Sequence, residues 1–98
     1  MIRQFVLRPE ARREFDHAFD RYRDIEPKLA FDFADAVQRS FDRIVQNPEA
    51  FQLVYRDVRH VVLRRFPYSI LFRAQKDLIE VIAVFHSSRV PDEWQRRV

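Results

Sequence analysis

The stretch from Val58 to Trp94, VRHVVLRRFPYSILFRAQKDLIEVIAVFHSSRVPDEW, constrains the fold more than any other part of the chain. It holds three runs, Val58–Arg65, Tyr68–Arg73 and Leu78–His86. All are rich in Val, Ile, Leu, Phe and Tyr, the side chains that suit a pleated, half-buried surface. Phe66-Pro67 divides the first two, and Pro67, with no N–H for a ladder, belongs at a turn or at a strand's first residue. Ala74–Asp77 is short enough for a hairpin loop, although the chain has no glycine. Side chains alternate along a strand, which predicts that Ile79, Val81, Ala83 and Phe85 share the core face. Leu78, Glu80, Ile82, Val84 and His86 then lie opposite. Tyr68, Ile70 and Phe72 read as core-facing too, whereas the first run is equally apolar on both faces. The expected sheet has an apolar back and a front that gathers arginines and a histidine.

The first half supplies what such a back must bury against. Ile2–Arg8 alternates as a strand, and Pro9 ends it at the place where a first helical turn tolerates a missing N–H. A helix is predicted over Glu10–Asp24, with Ala11, Phe15, Ala18, Phe19 and Tyr22 at helical spacing. Pro27 disfavours helical geometry at Glu26, so the helix breaks there. A second helix is predicted over Pro27–Gln46, its stripe running Leu29, Phe33, Val37, Phe41 and Ile44, and Asn47-Pro48 stops it. Phe31 and Ala34 lie beside that stripe. A short connection makes the two an antiparallel hairpin. Phe51–Tyr55 leads into the sheet as a loop or short strand. The order is β-α-α-β-β-β, an α+β fold with the helical hairpin packed on one face of an antiparallel sheet. Ninety-eight residues make one domain of it, residues 1–98.

Composition narrows the setting. Apolar residues form 47% of the chain, enough for a core, and no run approaches the length of a membrane span. No signal segment follows Met1, and without cysteine there is neither a disulfide framework nor a thiolate metal site. A cytoplasmic protein with no membrane partner is the expectation. The formal charge is +3, and Lys28 and Lys76 are the only lysines beside many arginines, a bias that arginine-rich codons of a GC-rich genome account for. Placement is more telling: Tyr55–Arg73 clusters arginines against one acid, Asp57. Such a field suits nucleic acid, phosphate or an acidic protein segment.

Four blocks carry a resemblance over essentially the whole chain: Leu7–Ala11 (LRPEA), Asn47–Phe51 (NPEAF), Val58–Arg73 (VRHVVLRRFPYSILFR) and Val81–Trp94 (VIAVFHSSRVPDEW). In that order, on those elements, the sequence resembles the RelE/ParE superfamily, the toxin halves of bacterial type II toxin–antitoxin modules. The superfamily holds two activities on one fold. RelE-type members cut messenger RNA on the ribosome, and ParE-type members bind and poison DNA gyrase. Arg64–Tyr68 (RRFPY) and the His-x-x-Arg-x-Pro tail at His86–Pro91 look more like the ParE-type branch. The resemblance also implies a cognate antitoxin whose C-terminal segment wraps the toxin. A homodimer or a toxin–antitoxin hetero-oligomer is the assembly to expect.

The residues themselves weigh binding above catalysis. A metal-independent ribonuclease would need His86 as general acid or base and Arg64, Arg65 and Arg89 as phosphate clamps. Yet the sheet runs carry no lysine, and no tyrosine follows His86. The tail's one aromatic, Trp94, stacks but cannot transfer a proton. His86 reads equally well as a capped strand end, and the arginines as a solvated face. His17 and His60 have no partner pattern. No metal-ligand spacing and no glycine-rich phosphate loop occurs, so no metal and no cofactor is expected. No catalytic residue is therefore asserted. The surface expected to bind target or antitoxin comprises Arg59, Arg64, Arg65, Arg73, His86, Arg89, Trp94 and Phe31, because tryptophan and arginine often dominate protein interfaces. The favoured target is DNA gyrase; the alternative is the ribosome and its messenger RNA.

Overall fold

A computed structural model describes residues 3–98 of the chain. Strand β1 (Gln4–Leu7) leads into α1 (Pro9–Ile25) and α2 (Pro27–Gln46). Both helices carry proline in the first turn, where no N–H is wanted. A single 3-10 turn, Pro48–Ala50, then brings the chain to β2 (Leu53–Tyr55), β3 (Val58–Val62), β4 (Tyr68–Ala74) and β5 (Leu78–His86). A short helix, α3 (Asp92–Gln95), lies near the end. The predicted strand over Ile2–Arg8 is thus found from Gln4, with Ile2 outside the described residues.

The strands order as β1-β5-β4-β3-β2. The four later strands are antiparallel, as expected, but β1 joins β5 in parallel, so the sheet is mixed. No tight turn links β1 to its neighbour, and nothing local imposes an antiparallel direction on it. Without glycine, the β2–β3 turn places Arg56 at φ 53°, a left-handed conformation that costs a non-glycine residue about 1 kcal/mol.

The back of the sheet meets the helical hairpin. Phe33 of α2 is fully buried at the centre, its ring 5.6 Å from Phe15, 5.2 Å from Tyr22, 5.4 Å from Phe66 and 5.3 Å from Tyr68. Ile70, Phe72, Ile79 and Val81 complete this core with Val37 and Ile44. The ambiguous first run resolves here: Val61 and Leu63 face the helices, while Val58 faces the front.

One side assignment is corrected. Ile79 and Val81 face the helices as predicted, but Ala83 and Phe85 belong to a second core on the front, with Ile82. The cause is a β-bulge: Leu71 pairs with Ala83 and Phe72 with Val81, leaving Ile82 as the extra residue. A bulge reverses the alternation beyond it. Val84 consequently turns back to the helices.

Candidate protein-binding surface

The front of the sheet is not the open basic face that the pattern predicts, because the chain's own end covers part of it. Trp94 is 5% exposed and packs with Val58, Leu71, Ile82, Ala83 and Phe85. Its ring meets Tyr55 edge-on at 5.8 Å. Trp94 is therefore a core residue of the front, not an exposed anchor.

Charge fastens this tail where β1 runs out. Beyond Val81, β5 has no strand on its outer side. There the Val84 N–H donates to Glu14 Oε1 (3.1 Å), and Arg97 donates to the Ile82 carbonyl (3.1 Å). Arg97 also clamps both Glu14 oxygens at 3.0 Å, and Arg89 donates to Glu14 Oε2 at 2.8 Å. Arg8 reaches the Arg97 carbonyl (2.6 Å), adding a tie from the far end of the chain. Side chains thus satisfy an edge that would otherwise invite another strand. Glu14 and Arg97 are absent from the predicted site, although one signal exists. Glu14 stands three residues after Ala11 and four before Ala18, an acid inside an apolar stripe.

The predicted site residues separate into groups. Arg59 donates to the carbonyls of Phe51 (2.6 Å) and Glu49 (3.4 Å), fastening the 3-10 turn to the sheet. Arg73 is held between Asp57 (3.1 Å) and Glu80 (3.7 Å). Arg89 bonds Glu14 and Glu93 and lies 4.4 Å over the Phe85 ring. Burial opposes its charge, but the hydrogen bonds to Glu93 and Glu14 outweigh that and raise its pKa above the usual arginine value. These three arginines are occupied within the fold. Arg64 and Arg65 are exposed after β3, where Arg65 reaches Asp32 at 3.6 Å and lies over Phe66. The Lys28 hydrogen bond, helped by Arg65, holds Asp32 below the usual carboxylate range. Phe31 projects from α2, 62% exposed, its ring 5.9 Å from Phe19.

His86 closes β5 with its ring edge-on to Tyr68 at 5.0 Å. Its Nδ1 accepts the Ser88 N–H at 3.0 Å, with the Ser88 hydroxyl 2.8 Å away. A backbone N–H only donates, so Nδ1 is the accepting nitrogen in this contact. His86 lines a depression of about 300 Å³ with His60, Ser69, Ser87 and Arg89, over a floor that includes Leu71 and Trp94. Among the described residues no cluster of three or more histidines and acids is arranged to hold a metal, and no helix is long and apolar enough to cross a membrane.

The chain is a helical hairpin across a five-stranded mixed sheet, an α+β fold whose front is partly closed by its C-terminal tail. The family profile described as "ParE toxin of type II toxin-antitoxin system, parDE" matches residues 5–91, and the chain belongs to this ParE toxin family. "Toxin ParE2" of Mycobacterium tuberculosis, in strains CDC 1551 / Oshkosh and ATCC 25618 / H37Rv, is 33% identical over 83% of this chain and 78% of the relative. A solved structure, "Chromosomal ParDE TA system from P. aeruginosa", shares the fold with a TM-score of 0.75. It is 18% identical and covers 87% of this chain and 96% of its own. The chain is accordingly a ParE-like toxin of a type II toxin–antitoxin module, and an antitoxin is the partner that membership supports.

Proposed function

We propose that this toxin acts in the cytoplasm by binding DNA gyrase, without chemistry of its own, and that an antitoxin encoded beside it neutralises it. The observation that carries the reading is the setting of His86. In the depression it shares with His60, its Nδ1 is engaged by Ser88 and no carboxylate is among its hydrogen-bond partners. RNA cleavage by a 2′-hydroxyl needs one group to remove a proton and another to return one. Arg89, the nearest candidate clamp along the chain, is already shared by two carboxylates. Arg64 and Arg65 remain exposed, as a binding surface requires. On the hairpin Phe31 and Ile25 are 62% and 71% exposed, apolar side chains proposed as antitoxin contacts.

The test follows supercoiling by purified gyrase and message cleavage on translating ribosomes, each with toxin added. Supercoiling should stop while message stays intact. His86→Ala should weaken gyrase inhibition by no more than about fivefold, the cost of a residue outside a hot spot. Message cut at codon boundaries, with cutting abolished by His86→Ala, would overturn the reading in favour of a ribonuclease.

A further inference from the structure

Between α2 and the end of β3 lies a cavity of about 300 Å³ lined by Arg39, Arg43, Arg64 and Arg65 together with Val62 and Leu63. Arg39 and Arg43 stand one helical turn apart on α2, so their side chains share a face. Arg43 is steadied over the Phe51 ring at 5.3 Å. Of the four arginines, only Arg65 has a carboxylate within ion-pair reach among the described residues, Asp32 at 3.6 Å. Four guanidiniums around one depression repel each other and attract an acidic partner.

The strand edge narrows the choice of partner. Val62 is 60% exposed, its side chain alternating with Val61 and Leu63 onto the front of the sheet. Strand β2 covers β3 only as far as Arg59, with one further bond from the His60 N–H to the Gln52 carbonyl (3.2 Å). Backbone groups alternate in direction along a strand, so Val62 points its N–H and C=O the same way as His60. No bond meets them from that side among the described residues. The cradle therefore offers guanidiniums beside an open strand edge, the requirements of an extended acidic peptide added as a strand.

The geometry points to an acidic, extended segment of the antitoxin as the occupant, paired with β3 at Val62 and gripped by Arg39, Arg43, Arg64 and Arg65. This inference rests on the antitoxin reading above and goes further by naming the segment's chemistry and its seat. DNA would use the arginines but not the edge.

The experiment takes the full toxin and the purified product of the adjacent reading frame. Hydrogen exchange on the wild-type complex should show the Val62 amide protected relative to free toxin. Arg39→Glu with Arg43→Glu should weaken binding roughly a hundredfold and flatten its salt dependence, whereas Arg12→Glu on α1 should leave both unchanged. Circular dichroism establishes that each variant is folded. If the charge reversal unfolds the toxin, Arg39→Gln with Arg64→Gln replaces it, expected to lose roughly tenfold. Tight binding with Val62 unprotected, or with the arginine variants unaffected, overturns the seat and leaves the antitoxin reading standing. No binding by the wild-type toxin removes the antitoxin reading and the seat with it. A short DNA duplex that protects Val62 and is released by the arginine variants, where the antitoxin product does neither, would make the cradle a nucleic-acid site.

Discussion

The two faces of the sheet are held by different physics. The back is a continuous aromatic core in which Phe33 touches rings from α1, from the loop after β3 and from β4. The front has a smaller core under Trp94, fastened at its margin by Glu14, Arg89 and Arg97. Apolar burial is non-directional and strengthens with area, whereas an ion cluster depends on every member being present. The difference separates what makes the domain fold from what shapes the face it presents.

The hardest break comes at the back. Phe33→Ala removes a ring from a fully buried site and should cost about 3–5 kcal/mol, a large part of the stability of a chain this size. Because α1, α2 and the sheet meet at that ring, thermal melts by far- and near-ultraviolet dichroism should fall together. A variant that lost only its tail would show that the hairpin and sheet do not depend on this contact.

The front should yield by degrees. Glu14→Gln keeps the shape but leaves Arg89 and Arg97 without their shared carboxylate, at a cost of about 2–3 kcal/mol. The loss should be local. Amides of α3 and the Val84 N–H should exchange faster, while those of α2 keep most of their protection. Uniform loss across both helices would mean that the two faces form one cooperative unit, erasing the distinction.

The legibility of the sequence followed the same division. The bounds of α2 were readable because Pro27 and Asn47-Pro48 punctuate the chain, and β5 because its run ends in polar residues. The hairpin's core face was readable from periodicity alone. The bulge at Ile82 was not, since every residue of Val81–Phe85 is apolar and a slipped alternation leaves no mark in composition. The destiny of Trp94 was hidden for another reason: its partners Val58, Leu71 and Phe85 come from three strands. Arginines posed the harder problem. A count shows a positive field, but Arg59, Arg73, Arg89 and Arg97 are absorbed by carbonyls and carboxylates remote in sequence. Arg39 and Arg43, unremarkable on a helix, come to face Arg64 and Arg65 only once the chain is folded.

The smallest expected effect tests whether polar contacts matter at the back at all. Tyr68 is buried there, and its hydroxyl accepts a hydrogen bond from Arg21 at 2.8 Å. Burial raises the Tyr68 pKa above its ordinary value of 10.0, more than Arg21 lowers it. Tyr22 is raised as well, by burial and by the neighbouring Tyr68. Above about pH 10 the unfolded chain gives up these protons before the folded one does, so the unfolded state binds fewer protons and stability falls as pH rises. Below that value both states are protonated and the contribution is intact. Tyr68→Phe should therefore lower stability near neutrality by about 1 kcal/mol, through the lost Arg21 bond. It should also soften the alkaline decline, because one titrating hydroxyl and its push on Tyr22 are gone. Denaturant melts of both proteins between neutral pH and pH 11 (roughly a unit past the free tyrosine value) measure this directly. The two stability curves should converge on the alkaline side. Curves that stay parallel would mean that Tyr68 titrates alike in the folded and unfolded chain, and curves that coincide throughout would leave apolar contact as the whole of its role in the back.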